Sequence, residues 1–196
     1  DLFLAEETQV SVYRNIQPKG QYDVKEVLIE GLPGGNQLTG GGHRTRTIDI
    51  GPDGKIYLTI GSSCNVCEED DERRATMMRF DLDGSNGEII ATGLRNTVGF
   101  DFAEDGTIWS TDMGRDQIGD DIPSEEVNII EEGRDYGWPY CWGSGFFNPE
   151  HPAQNQFCQN KSTHPIFEMQ AHSAPLGTTF LNKSANQTWP KEMKDG

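Results

Sequence analysis

Two addresses in this 196-residue chain carry side chains suited to chemistry in matching local settings. His43 follows Gly40-Gly41-Gly42 and precedes the alternating apolar run Thr47-Ile48-Asp49-Ile50, which puts it on a glycine-rich loop at a strand start. An imidazole there, near half-titrated around neutral pH, suits a general base; the alternative is a solvent-exposed turn residue. Arg95 and Asn96 follow Gly93-Leu94 and precede Val98-Gly99-Phe100, the equivalent address one repeat later.

Four cysteines form an even set: Cys64 and Cys67 as C-x-x-C, then Cys141 and Cys158 with sixteen residues between them. A structural zinc site normally wants two close pairs, so two disulfides are favoured, with zinc or redox-active thiols as alternatives. Disulfides imply an oxidising compartment, and the N-x-[ST] sequons at Asn160, Asn182 and Asn186 agree with export. Asp112, Asp116, Asp120, Asp121, Glu125 and Glu126 place six carboxylates in fifteen residues. They repel one another unless solvated or bridged by a hard cation such as Ca²⁺, and solvation is expected for most of them. Asp81-x-Asp83-Gly84 lacks a glutamate at the twelfth position of a calcium loop and is expected as a turn. No G-x-x-x-x-G-K-[ST], G-x-S-x-G or H-E-x-x-H motif occurs, which removes support for several common enzyme classes.

The elements that must position these residues repeat. Thr47–Ser62 (TIDIGPDGKIYLTIGS) and Val98–Met113 (VGFDFAEDGTIWSTDM) both alternate with period two, break at Asp-Gly and resume as an Ile-aromatic strand, 52 residues apart. Each is followed or flanked by two further short strands. Met78-Arg79-Phe80 and Ile89-Ile90-Ala91 follow the first hairpin, in the order of Val10-Ser11-Val12 and Val27-Leu28-Ile29 after Leu2-Phe3-Leu4-Ala5. Four antiparallel strands per repeat of about 50 residues predict an all-β protein built as a β-propeller, of which residues 1–196 form a partial ring of about three to four blades. A β-sandwich with coincidentally similar hairpins is the alternative. A further hairpin is expected to start at Leu176–Leu181, and the long connections 63–76 and 114–126 and the Trp-rich stretch 136–157 are where a site belongs. In a propeller, His43 and Arg95 then share one end of the central channel.

Sixteen basic against 32 acidic side chains give a formal charge of −16, which excludes a nucleic-acid partner and anionic lipid surfaces. No run approaches the roughly 20 apolar residues of a membrane span, and no basic-then-apolar pattern stands at Asp1, so an exported protein is expected to have lost its leader before this point. Hydrophobic residues make up 34%, and 23 glycines in 196 residues are about 12% against an average of about 7%, so turns are frequent. The chain opens without Met on a strand-like segment and is expected to be a fragment.

His43-Arg44-Thr45-Arg46-Thr47-Ile48 leading into GPDGKIYLTIG, Gly93-Leu94-Arg95-Asn96-Thr97-Val98-Gly99, and EEVNIIEEGRDYGWPYCWG from Glu125 to Gly143 together resemble the glucose/sorbosone dehydrogenase family. These are soluble six-bladed propeller quinoproteins that use pyrroloquinoline quinone (PQQ) and Ca²⁺. CNVCEE at Cys64–Glu69 looks more like the sorbosone-type branch. The resemblance implies oxidation of an aldose, sorbosone-like aldehyde or related sugar, with electrons passed to an external acceptor, in the periplasm or outside the cell. It implies His43 as the base that takes the substrate hydroxyl proton and Arg95 as the arginine that polarises the quinone carbonyl. Asn96 would contact the cofactor, and the carbonyls of Gly114 and Arg115 would hold Ca²⁺. Positive charge then stands where oxyanion character develops, while the quinone takes the electrons. Three positions depart from the glucose-type pattern: Arg115 stands for Pro, Met113 for Gln and Ser62 for Asp. The Lys and Arg residues that grip the cofactor's carboxylates in the family have no counterpart here. A non-catalytic propeller that binds a protein or glycan is the second reading. A lactonase-type metal hydrolase ranks below both, because it would need carboxylates and Asn at the channel end.

Overall fold

The structure, a computed structural model, describes residues 1–34 and 42–181. Gly40, Gly41, Asn182 and Asn186 lie outside them. Three antiparallel sheets follow one another along the chain. The first contains β1 (Leu2–Ala5), β2 (Gln9–Arg14) and β3 (Val24–Glu30). The second is the meander of β4 (Arg46–Ile50), β5 (Ile56–Ile60), β6 (Thr76–Phe80) and β7 (Glu88–Thr92). The third runs through β8 (Thr97–Phe102), β9 (Ile108–Asp112) and β10 (Glu125–Ile130). After β10 come β11 (Arg134–Asp135), which adds a fifth strand parallel to β7, and the hairpin of β12 (Cys141–Trp142) with β13 (Phe146–Phe147). A short helix α1 (Asn155–Asn160) precedes β14 (Phe167–Met169), the fourth strand of the third sheet.

The expected hairpins form where the sequence places them. β4 pairs with β5 and β8 with β9, in register from Ile50↔Ile56 and Phe102↔Ile108. Each turn closes the same way: Gly54 N–H donates to Gly51 O and Gly106 N–H to Ala103 O, with both glycines at positive φ. Asp53 and Asp105 accept from the backbone N–H two residues on, at 3.1 Å and 2.9 Å. Asp83-Gly84 makes the same turn between β6 and β7, with Asp83 accepting from Ser85 N–H at 2.9 Å, so this pair is a turn as expected. Gly84 carries φ +85°, and a Cβ there would run into the Leu28 carbonyl of β3.

Period-two alternation decides how the sheets stack. Ile56, Leu58 and Ile60 of β5, with Met78 and Phe80 of β6, pack against Val10 and Ile29 of the first sheet. The intervening Tyr57 and Met77 face the other way, onto Phe100, Ile108 and Ile130 of the third sheet. The middle sheet is therefore apolar on both faces and every residue of β5 is buried, as a propeller blade between two neighbours requires. The chain is all-β, with blade-like sheets that do not close a ring among the described residues. The first strands of adjacent blades touch: Thr47 Oγ1 of β4 donates to Val98 O of β8 at 2.6 Å.

Leu176–Leu181 does not form the expected strand. It lies in extended contact with β8, where Gly177 packs on Gly99 and the Asp101 carboxylate accepts from Thr179 Oγ1 and Phe180 N–H at 2.8 Å and 2.7 Å. Both disulfides are made, Cys64–Cys67 and Cys141–Cys158, the second tying α1 to β12. No helix among the described residues is long and apolar enough to cross a membrane.

Candidate functional site

His43 and Arg95 precede the first strands of neighbouring blades, and one residue at the exit of β5 binds both. His43 N–H donates to Ser62 O at 2.9 Å, and Ser62 N–H donates to Arg95 O at 2.8 Å. Gly61, one residue earlier, lets the two sides close. A Cβ built there would lie 2.5 Å from His43 Cβ and 2.7 Å from Asn96 Oδ1. The stacking of blades thus brings together His43, Ser62, Arg95 and Asn96, which span more than fifty positions of sequence.

The hydrogen bonds of His43 fix its tautomer. Nδ1 lies 2.9 Å from Ser62 Oγ and 3.2 Å from Ser62 O. A carbonyl only accepts, and the Ser62 hydroxyl gives its own proton to Cys64 O at 2.8 Å, so Nδ1 carries the hydrogen. Nε2 presents its lone pair and has no protein partner among the described residues. Burial, and then the positive charge of Arg95, push the imidazole down to about 4. The sequence expectation of a half-titrated ring is therefore corrected: at neutral pH His43 is a neutral base throughout.

Arg95 is 5% exposed, and four of its five N–H groups are spoken for. Nε and Nη2 donate to the carbonyl and side-chain oxygens of Asn65 at 3.0 Å and 2.9 Å. Nη1 donates to Met113 O at 3.2 Å and Gly114 O at 2.7 Å. The fifth N–H faces the exposed Asp116 carboxylate, 3.9 Å from Nη2. Desolvation lowers the Arg95 pKa while Asp112 and Asp116 oppose that effect. Asp112, at the end of β9, pins the backbone beneath: it accepts from Arg95 N–H, Asn96 N–H and Thr97 Oγ1 at 2.8–2.9 Å. Burial raises its carboxyl to about 6.

The acidic run divides. Asp116, Asp120 and Asp121 are exposed, as expected for solvated groups, whereas Asp112, Glu125 and Glu126 are buried and tie backbone segments together. Glu125 accepts from Gly114 N–H at 2.6 Å. Glu126 accepts from Gly143 N–H at 2.7 Å and Asn128 Nδ2 at 3.2 Å, and burial followed by the nearby Asp112 raises it to about 7. Asn65, the joint between Arg95 and the 114–126 loop, went unread in the sequence. Its position inside the C-x-x-C loop was the one available signal.

The arrangement fits a quinone in part and a calcium ion poorly. One Arg95 N–H and one N–H of the Asn96 amide, which donates to Met113 Sδ at 3.5 Å, remain for acceptor oxygens beside His43 Nε2, which has no partner among the described residues. The Gly114 carbonyl, by contrast, already accepts from a guanidinium, so a cation there would meet the positive charge of Arg95. The Arg115 side chain turns away to Glu150. A cavity of about 20 Å³, roughly the room for one water, lies beside Arg95, Asp112, Gly114 and Glu126; His43 does not line it.

The sequence profile described as Glucose / Sorbosone dehydrogenase matches residues 5–194. The chain is 31% identical over 97% of its length to an uncharacterized protein of Borreliella burgdorferi, covering 49% of that protein. It is 27% identical over 59% of its length to quinoprotein glucose dehydrogenase B of Acinetobacter calcoaceticus, covering 29% of that enzyme. The chain thus spans half or less of these relatives. The holo form of the pyranose dehydrogenase PQQ domain from Coprinopsis cinerea superposes with a TM-score of 0.75 at 20% identity, over 91% of this chain and 54% of that one. At that identity the likeness shows the shared propeller fold.

Proposed function

The chain belongs to the glucose/sorbosone dehydrogenase family, and from that premise we propose that it is part of a six-bladed propeller enzyme that oxidises a sugar with PQQ as hydride acceptor. The substrate class is an aldose, a sorbosone-like aldehyde or a related sugar, and the electrons leave to an external acceptor. The CNVCEE segment favours the sorbosone-type branch. Two disulfides and the acidic surface suit a periplasmic or secreted protein.

One observation carries the reading: His43 and Arg95-Asn96 are held on Ser62 at the same end of the first strands, with a lone pair on one side and N–H donors on the other. His43 Nε2 takes the proton of the substrate hydroxyl as a hydride leaves the same carbon and the C=O bond forms. PQQ, when bound, accepts that hydride. Arg95 and Asn96 would offer N–H groups to its acceptor oxygens, and Ser62 keeps the His43 proton on Nδ1 so that Nε2 stays open. A cation on the Gly114 and Arg115 carbonyls would stand against the Arg95 guanidinium, whose Nη1 already donates to Gly114 O.

That same occupied carbonyl favours the second reading, a non-catalytic propeller binding a protein or glycan. Reconstitution separates the two. The full-length protein loaded with PQQ and Ca²⁺ is expected to reduce an artificial dye with aldoses, and His43→Ala to lower turnover by about 10² or more. No quinone absorbance change on titration, or dye reduction indifferent to His43→Ala, overturns the dehydrogenase reading.

A further inference from the structure

Ser62, Ser63 and the disulfide-closed loop Cys64–Cys67 follow one another between the two candidate reacting residues, and the loop bonds Arg95 directly and reaches His43 through Ser62. On one side Cys64 O accepts the Ser62 hydroxyl proton, which orients that hydroxyl to accept from His43 Nδ1. On the other, Asn65 is shared among three segments. Its carbonyl accepts from Arg95 Nε at 3.0 Å and from Trp138 Nε1 at 3.4 Å. Its side-chain oxygen accepts from Arg95 Nη2 and from Asp116 N–H, both at 2.9 Å, and its Nδ2 donates to Asp116 O at 3.1 Å.

The geometry of this pairing is specific. Arg95 Nε and Nη2 are parallel donors on one edge of a planar fork, and Asn65 meets them with two oxygens of one residue. Holding both donors of that edge fixes the rotation of the guanidinium and directs the remaining nitrogen, Nη1, to Met113 O and Gly114 O. An asparagine on an open loop would lose more conformational freedom in doing so. The Cys64–Cys67 cross-link removes part of that freedom beforehand.

We infer that Asn65 is a positioning residue for the sugar oxidation, holding the Arg95 guanidinium from within a disulfide-closed loop. The inference rests on Arg95 being one of the reacting pair. Asn65 acts through Arg95 rather than on substrate or cofactor, and Cys64 and Cys67 act through Asn65.

The test uses the full-length protein and two independent readouts. The first needs no activity: the rate at which phenylglyoxal modifies Arg95, followed by peptide mapping. Asn65→Leu, close in size and without polar atoms, is expected to raise that rate about tenfold or more. Asn65→Asp keeps an oxygen for Arg95 Nη2 and for Asp116 N–H and is expected to stay near the parent rate, and Cys64→Ser/Cys67→Ser to fall between them. The second readout is dye turnover with sugar. Asn65→Leu is expected to lower kcat by about ten- to a hundredfold, with little change in the acid limb that reports His43, and Asn65→Asp to restore most of it. Arg95 modification unchanged in Asn65→Leu overturns the inference, whatever the activity. So does kcat unchanged while Arg95 becomes reactive. A parent protein without dye activity, together with the expected modification pattern, would instead count against the dehydrogenase reading and leave the Asn65–Arg95 clasp standing.

Discussion

Replacing Gly61 by alanine would set a methyl group 2.5 Å from His43 Cβ, 3.2 Å from His43 Cγ and 2.7 Å from Asn96 Oδ1. Non-bonded carbon atoms rest at about 3.5–4.0 Å, so the histidine must retreat by about 1 Å or more, and the Asn96 amide has to yield as well. Neither shift is free. His43 is held through both its backbone N–H and Nδ1 by Ser62, and Asn96 N–H by the buried Asp112. Overpacking of this size costs about 1–3 kcal/mol of stability. A displacement of about 1 Å at reacting groups costs on the order of 10² in rate. The expected outcome for Gly61→Ala in the full-length, PQQ-loaded protein is therefore a folded variant, a Tm lower by a few degrees, and dye turnover lower by about two orders of magnitude. Stopped-flow or steady-state dye reduction, alongside thermal unfolding followed by circular dichroism, reads both. Turnover within about twofold of the parent would refute the convergence of His43 and Asn96 on Gly61 as the basis of the site.

Glu126, raised to about 7, and Asp112, raised to about 6, bind a proton more tightly folded than unfolded. The stability they contribute is full below their ordinary carboxyl range and is lost as pH rises through 6 and 7. His43, depressed to about 4, has the opposite sign, but its contribution is already complete above about 6.5. Tm should consequently fall between pH 6.5 and 8.5, and Glu126→Gln should flatten that slope; a slope identical in parent and variant contradicts the assignment. Removing the Cys141–Cys158 cross-link, with a sequence separation of 17, by a Cys141→Ala/Cys158→Ala change is expected to cost about 3 kcal/mol in denaturant unfolding, and a loss under about 1 kcal/mol would count against it.

The parts of the fold that local chemistry decides were legible in the sequence. Asp-Gly turns at 53–54, 83–84 and 105–106 and the alternation on either side of them gave the meanders, their spacing gave the repeat, and the repeat placed His43 and Arg95 at one end. What was missed depends on contacts between blades. β11 and β14 are two and three residues long, too short to show a period, and exist because a neighbouring strand offers its edge. Leu176–Leu181 looked like another hairpin start, but its Phe180 N–H and Thr179 hydroxyl donate to the Asp101 carboxylate instead. Asn65 and Arg95 are thirty positions apart, and nothing in either neighbourhood announces the other. The buried role of Asp112 was hidden inside a run of acids whose exposed members it resembles in composition only. The shifted titration of His43 comes from burial, which no residue type encodes.

The pKa of His43, followed by NMR of its ring in the full-length protein and in Arg95→Gln, addresses the pairing of these two residues without any need for turnover. A partly buried imidazole beside a guanidinium should titrate near 4, and should rise when the neighbouring positive charge is removed while burial remains. A value close to 6.5 in the parent, or one that does not move in Arg95→Gln, would mean that the two side chains do not share a site.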